Sequence, residues 1–323
     1  MSPKQTIEVE HLSKVYGSNV AIEDVHFSVA AGEIIGFLGP NGAGKTTTMR
    51  ILAGYLPATA GTARIVGYDV HRDSMKVRRH IGYLPETPPL YSDMTVEGFL
   101  HFVAKIKGIP AGDRFKKVHS AISRCQLVDK TKVTIRKLSK GYRQRVGIAQ
   151  AIVHEPPVII LDEPTIGLDP RQIIEVRNLI KSLAGEHTII LSTHILPEVS
   201  MTCDRVTIIN RGKVVTTNTP TGLMEQLESN SGYEVEIEGD SKEILANLTQ
   251  IPGVTGVSLS HKSTLTDSNR TLIEITCNSN SESGTEIAAA IIKQGLGLHE
   301  MRRIRPSLED VFLQLTTEEI IAN

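Results

Sequence analysis

The 323-residue chain is predicted to be an α/β protein, with a helical subdomain inserted into a largely parallel sheet and a smaller α+β domain behind it. Three observations carry that prediction. Apolar runs bounded by turn residues, such as Val158-Ile159-Ile160-Leu161 and Thr188-Ile189-Ile190-Leu191, alternate with helical patterns through the first part of the chain. A strand covered on both faces reads as a continuous apolar run, and such strands interleaved with helices build a parallel sheet. The last part opens on Tyr233-Glu234-Val235-Glu236-Ile237-Glu238, the period-two alternation of a half-exposed strand. Charge divides in the same way: residues 1–219 hold 28 basic and 20 acidic residues, a net of +8, whereas residues 220–323 hold 7 and 16, a net of −9. The formal charge of −1 is a cancellation between two unlike parts, a mark of separate modules.

The elements follow in order. Glu33-Ile34-Ile35-Gly36-Phe37-Leu38 is a strand that stops at Gly39, and a helix runs from Gly44 to about Ala53. Between Pro88 and Pro157 the pattern turns helical, over Val96–Lys107, Arg114–Cys125 and Ser139–Val153, with a basic connector from Asp129 to Lys140. This is the inserted subdomain, about residues 88–157. A domain covering residues 1–220 is therefore expected to be followed by one covering 221–323. After a short helix from Met224 to Asn230, the second domain reads strand 233–238, helix 242–250, strands 254–260 and 271–277, helix 282–293 and strand 296–304. That β-α-β-β-α-β order is the split pattern of ferredoxin-like folds. A closing helix begins at Ser307 with Asp310 three residues on, a variant capping box.

Composition narrows the class. With 40% hydrophobic and 22% charged residues, wholesale disorder is excluded. The longest apolar runs, such as Ile287-Ala288-Ala289-Ala290-Ile291-Ile292, fall short of the ~20 residues that a membrane-spanning helix needs. Met1 to Glu10 lacks the basic start and apolar stretch of a secretory signal. Cys125, Cys203 and Cys277 are odd in number and far apart, which argues against a disulfide framework or a zinc site and for a reducing compartment.

Two motifs carry chemistry. Gly39-Pro40-Asn41-Gly42-Ala43-Gly44-Lys45-Thr46 matches the P-loop spacing between a strand and a helix. Glycines let successive backbone N–H groups turn towards phosphate oxygens, and the helix behind them adds its positive end. Lys45 supplies a cation to the β and γ phosphates and the Thr46 hydroxyl a ligand for Mg²⁺; Thr47 completes the nucleotide-binding set. In the second motif, Val158-Ile159-Ile160-Leu161-Asp162-Glu163, an apolar strand ends in two carboxylates. Asp162 is a candidate Mg²⁺ ligand. Glu163, on the other face of the strand by alternation, is a candidate base for the attacking water.

With these motifs in place, residues 5–220 resemble the ATP-binding subunit of an ABC (ATP-binding cassette) transporter. Leu138-Ser139-Lys140-Gly141-Tyr142 stands where the family carries Leu-Ser-Gly-Gly-Gln. The resemblance implies that Ser139 and Gly141 contact the ATP of a partner protomer. It further implies that Glu163 is the catalytic carboxylate, Gly167-Leu168-Asp169 the D-loop, His194 the switch histidine on the γ-phosphate, and Tyr16 the aromatic that stacks on adenine. Two departures stand out. Glu86, in Gly82-Tyr83-Leu84-Pro85-Glu86, replaces the usual Q-loop Gln and is a harder anionic ligand for Mg²⁺ than an amide. Lys140 and Tyr142 replace Gly and Gln in the signature, and Lys140 is read as facing solvent. Within the family, the similarity is greatest to ATPases of the ABC-2 exporter group. Gly39–Leu52, Ile81–Glu86 and Ser192–Asp204 are most like gliding-motility-associated ATPases, and Ser307-Leu308-Glu309-Asp310-Val311-Phe312 is similar to the ending of exporter ATPases with a C-terminal extension.

The resemblance implies a homodimer that sandwiches two ATP molecules with Mg²⁺, closes on binding, reopens on hydrolysis, and drives an ABC-2 type permease from the cytoplasmic face of the cell membrane. Two rival readings are a soluble ABC ATPase acting on ribosomes or DNA, and a regulatory nucleotide-binding module without turnover. The chain has neither the second cassette nor the long coiled-coil insertion of many of the former, and no nucleic acid partner is expected. Lys45, Asp162, Glu163 and His194 are all in place, which disfavours the latter.

Overall fold

A computed structural model describes residues 5–225, 232–238, 242–259, 270–278, 283–304 and 307–321. The chain divides into two compact units, Met1–Pro220 and Thr221–Asn323.

The first unit begins with two long strands that the sequence patterns above did not single out, β1 (Gln5–Tyr16) and β2 (Asn19–Ala30), turning at Gly17. They pair antiparallel with β4 (Ala60–Ile65) and β5 (Tyr68–Asp69) in the order β2-β1-β4-β5. The second sheet holds β3 (Ile34–Leu38), β6 (Ile81–Leu84), β7 (Val158–Asp162), β8 (Thr188–Thr193), β9 (Arg205–Asn210) and β10 (Lys213–Asn218), ordered β10-β9-β3-β8-β7-β6. All neighbours in it are parallel except the hairpin β9-β10. Every residue of β3, β7 and β8 is buried, which is why these strands read as unbroken apolar runs. Helix α1 (Lys45–Leu52) contacts strands of both sheets. Met49, Ile51 and Leu52 from it join Leu12, Val25, Phe27, Phe37, Ile160 and Ile190 in one core. Phe27 and Phe37 meet there with ring centroids 5.4 Å apart. Helix α2 (Ser74–His80) leads into β6.

The inserted subdomain holds α3 (Val96–Ile106), α4 (Ala111–Arg124) and α5 (Lys140–Ile152). The Thr95 hydroxyl caps α3 by accepting from Gly98 N at 3.1 Å. The basic connector resolves into two short 3-10 turns, Val128–Lys130 and Ile135–Lys137, and Thr134 forms an isolated antiparallel bridge with Thr95. Residues 88–157 carry 13 basic and 5 acidic residues, a net of +8. The whole basic excess of the first unit therefore lies in this subdomain. Helices α6 (Pro170–Ser182), α7 (Leu196–Thr202) and α8 (Pro220–Glu225) complete the run.

In the second unit β11 (Gly232–Glu238), α9 (Lys242–Leu248), β12 (Val254–Leu259), β13 (Arg270–Cys277), α10 (Gly284–Lys293) and β14 (Gly297–Ile304) follow in that order. The sheet order is β12-β13-β11-β14, antiparallel throughout. Val235, Ile237, Ile273 and Ile275 pack with Ile244, Leu248, Ile287 and Ile291 of the helices. Alternate residues along β11 and β13 thus face one core, as the period-two pattern requires. The helix expected over Met224–Asn230 is found earlier, as α8, and its residues 226–230 lie outside the described residues, as do residues 261–269 of the polar turn expected from His261 to Arg270. Helix α11 (Leu308–Ile321) starts with the capping box: Ser307 N and its hydroxyl donate to Asp310 Oδ2 at 2.8 and 2.7 Å, and Asp310 N donates back to Ser307 Oγ at 3.2 Å.

Candidate nucleotide site

The loop between β3 and α1 wraps tightly because of what surrounds it. Gly44 has φ +102°, a conformation L side chains avoid, and a methyl there would stand 2.5 Å from Ile22 Cγ2 and 2.7 Å from the Ala21 carbonyl oxygen. A methyl at Gly39 would overlap the Ile209 carbonyl. Strands β2 and β9 therefore press on the loop from two sides, and only glycine fits at either contact.

This loop forms one wall of a cleft of about 720 Å³. Asn41, Gly42, Ala43, Gly44, Lys45, Thr46 and Thr47 line it, together with Tyr16, Glu86, Glu163 and His194. These residues come from positions 16 to 194, and the fold brings them to one opening. Gly39 and Pro40 take part through their carbonyl oxygens, which accept from Lys45 Nζ at 2.7 and 3.2 Å. Tyr16 is 45% exposed at the mouth, with Lys14 Nζ 5.1 Å from its ring centroid. An exposed aromatic beside a phosphate-sized basic pocket offers a stacking face.

The charged groups are arranged around Lys45. Its ammonium, almost wholly buried, lies 3.5 Å from Glu163 Oε1. The other neighbour of Glu163 is His194, whose Nδ1 stands 2.9 and 3.0 Å from the two carboxylate oxygens. A carboxylate only accepts, so Nδ1 carries the proton in this pair. Glu163 does not sit on the opposite face of a continuing strand, as alternation suggested. Strand β7 ends at Asp162, and Glu163 turns out of it with φ +50°, anchored by Glu163 N donating to Ser192 O at 2.9 Å. For a non-glycine residue this backbone is strained, a feature concentrated at functional sites.

Asp162 is fully buried, and neither carboxylate oxygen has a well-formed hydrogen bond. Burial pushes its pKa above the usual carboxylate range; nearby Ser192 and Thr46 hydroxyls oppose the rise, and the charges of Glu163 and Glu86 add to it. A buried carboxylate with open acceptor sites, beside the Thr46 hydroxyl and facing the Glu86 charge, fits a hard divalent cation such as Mg²⁺.

The remaining sequence candidates stand elsewhere. Ser139, Gly141 and Asp169 do not line this cleft. Ser139 caps α5, accepting from Tyr142 N at 3.4 Å, and Asp169 caps α6, accepting from Gln172 N at 2.9 Å with Pro170 following. Both are good N-cap residues in their own right. Gly141 packs so closely on Gln172 that a methyl would stand 2.6 Å from Gln172 Oε1. Lys140 is exposed, and its ammonium lies over Gly167. Sequence reasoning missed Asn19, Val20, Ala21 and Ile166, which also line the cleft. The first three begin β2, and the alternation Val25, Phe27, Val29 was the signal that could have found that strand.

Comparisons with known proteins agree with this geometry. A family model described as "ABC transporter" matches residues 22–166. The chain is 31% identical over 318 residues to the ABC transporter ATP-binding protein YhcH of Bacillus subtilis, covering 98% of this chain and 97% of that one. It is 42% identical over 211 residues to the bacitracin transport ATP-binding protein BcrA of Bacillus licheniformis, covering 65% and 68%. Among solved structures, an ATP-binding subunit of an ABC transporter superposes with a TM-score of 0.63 at 33% identity, over 69% of this chain and 93% of that one. The strand–loop–helix cradle around Lys45, the paired carboxylates at the end of β7 and a full-length relative above 30% identity place the chain in one family: it belongs to the ATP-binding proteins of ABC transporters and is an ATPase.

Proposed function

We propose that this chain powers an exporter through an ABC-2 type permease, working as a homodimer that closes on two Mg-ATP molecules. The observation that carries the reading is the cleft in which Glu163 lies 3.5 Å from Lys45 and 2.9 Å from His194. Phosphate entering it displaces Glu163 from Lys45 and frees that carboxylate to take a proton from water. His194 donates its Nδ1 proton to Glu163 and, with the ring protonated at both nitrogens, donates Nε2–H to a γ-phosphate oxygen. Backbone N–H groups of residues 41–47 hold the phosphate chain, and Tyr16 stacks on the base. Thr46 and Asp162, with Glu86 beside them, hold Mg²⁺, which when bound neutralises phosphate charge and orients the terminal phosphoryl group. The catalysis is electrostatics and positioning, without a covalent intermediate.

Ser139, Gly141 and Asp169 are absent from their own protomer's cleft, which is what a head-to-tail sandwich requires. In that dimer Ser139 and Gly141 face the partner's ATP, and Asp169 meets the partner. The pairing with a permease is supported by a groove lined by Tyr55, Leu90, Tyr91, Phe99, Phe102 and Ile106, just beyond the Glu86 segment. Tyr55 and Ile106 are 64% and 66% exposed there, an apolar patch of the kind that marks an interaction surface. No helix among the described residues is long and apolar enough to cross a membrane; in this reading a separate permease subunit supplies the translocation path, and this chain works from its cytoplasmic face. The export direction is supported by relatives named for bacitracin transport and for daunorubicin resistance. The residues after 220 are read as an accessory domain, ferredoxin-like in strand order, that favours dimerisation or tunes the cassette.

The test is reconstitution. The full chain is affinity-purified from membranes with its co-purifying polytopic subunit, sealed into vesicles, and assayed for ATP-dependent movement of labelled peptide antibiotics and anthracyclines. Transport with the wild-type chain and none with Lys45→Ala supports the reading. Recovery with ribosomes or nucleic acid in place of a polytopic subunit refutes it.

A further inference from the structure

One buried carboxylate near the cleft has no part in the scheme above. Glu198 lies in the first turn of α7 and is 3% exposed. Its Oε1 accepts from the Thr165 hydroxyl, and its Oε2 accepts from the Thr193 hydroxyl at 2.9 Å. Thr165 stands two residues after Glu163, and Thr193 immediately precedes His194. The Thr193 hydroxyl oxygen also accepts from Ile195 N at 3.1 Å, on the far side of His194. All three side chains are buried. Glu198 does not line the nucleotide cleft, and no Lys or Arg pairs with it among the described residues. A buried carboxylate held only by two hydroxyls is a costly way to fill space, and an apolar residue would pack there at less expense.

We infer that Glu198 is a positioning residue: its two oxygens tie the turn after Glu163 to the strand end before His194, and so set the distance between those two side chains. The inference rests on the roles given to Glu163 and His194 above. The geometry explains how Glu163 keeps its strained backbone. The turn that contains it is pinned at Glu163 N by Ser192 and at Ile166 N by Glu163 O, and at Thr165 by Glu198. Without the last of these, the turn is free to relax and to carry the carboxylate away from His194. A displacement of about 1 Å at such a site is enough to cost two orders of magnitude in rate. Among the described residues, no hydrogen bond or ion pair joins residues 39–47 to Thr165, Thr193 or Glu198, so nucleotide affinity should be spared.

The experiment is steady-state ATP hydrolysis by the full chain, with nucleotide affinity and thermal melting measured on the same samples. Glu198→Ala should lower kcat by about 10–100-fold while KM for Mg-ATP stays within about 2-fold. Glu198→Gln should restore kcat to within about 5-fold of wild type, because an amide offers one acceptor and one donor to two hydroxyls that can each play either part. Thr193→Val and Thr165→Val, each deleting one arm at nearly constant shape, should each lower kcat without raising KM. They carry the test if Glu198→Ala does not fold. Wild-type kcat in Glu198→Ala or in both valine variants overturns the clamp. A raised KM with unchanged kcat, or a Glu198→Gln variant as slow as Glu198→Ala, overturns it equally. Glu163→Gln in the same assay separates the two layers. If it is slow while Glu198→Ala is fast, only the clamp fails; if it turns over like wild type, the assignment of the base fails.

Discussion

Replacing Glu163 by Gln removes one negative charge at nearly constant shape, and the structure sets what should follow. The carboxylate lies 3.5 Å from a Lys45 ammonium that is 6% exposed. At an effective dielectric of about 20, a unit pair at that distance is worth roughly 5 kcal/mol of Coulomb energy before desolvation. Removing one partner of such a buried pair costs about 3 kcal/mol in practice, because the other charge stays behind. Lys45 keeps the Gly39 and Pro40 carbonyls, but those are neutral partners. Without nucleotide, Glu163→Gln should therefore melt about 6–12 °C below wild type, at 2–4 °C per kcal/mol for a domain of this size. With Mg-ATP the order should reverse in one respect. Phosphate no longer competes with a carboxylate for Lys45, nor is it repelled by one, so the nucleotide-induced rise in Tm should be larger in the variant. Hydrolysis should fall by about 10²–10⁴-fold, the span usual for loss of a general base. The assays are thermal melts with and without Mg-ATP and phosphate release at saturating nucleotide. Turnover within about 3-fold of wild type would refute the role of Glu163 as the base. An unchanged melting temperature without nucleotide would refute the strength assigned to the Lys45 pair.

Two further substitutions probe the same cleft. Burial holds the Asp162 pKa above its unfolded value, so its ionisation works against folding: that part of the stability is intact below pH ~4 and is lost as pH rises through the folded pKa. Asp162→Asn should therefore raise Tm at neutral pH without Mg²⁺, flatten this part of the pH dependence, and weaken the dependence of ATP affinity on Mg²⁺; denaturation and binding titrations across pH check all three. Gly44→Ala should cost about 2–5 kcal/mol, from a disfavoured φ of about 1–2 kcal/mol and a methyl forced against Ile22 and Ala21 at about 1–3 kcal/mol, and should abolish nucleotide binding. Its control is Gly112→Ala in α4, where a methyl meets nothing within 4 Å and stability should hold or rise by about 0.5–1 kcal/mol, read as Tm.

The parts of the molecule legible in sequence share one property: their partners are close along the chain. Eight consecutive residues make the phosphate loop, so its spacing is its geometry. Strands β3, β7 and β8 are buried on both faces, and that environment prints itself as an unbroken apolar run. Helix α5 announces itself through Ser139 at its cap and α11 through Ser307 and Asp310. Strands β1 and β2 escaped notice because they face solvent on one side and break their register repeatedly, which blurs the period-two signal. The Asn19–Ala21 edge of the cleft went unseen with them.

Sequence alone marked the P-loop spacing of residues 39–46 and the two carboxylates at the end of the apolar strand beside it. The tertiary structure decided how those groups are held. It turned Glu163 out of its strand, set it between Lys45 and His194, and buried Asp162 without a full complement of partners. It also brought Glu198 onto Thr165, 33 residues away in the chain. It gathered Tyr91, Phe99 and Phe102 of the basic subdomain and Tyr55 into one groove. Such contacts join residues on different strands and helices, and their energies depend on distance and burial, which no local spacing encodes.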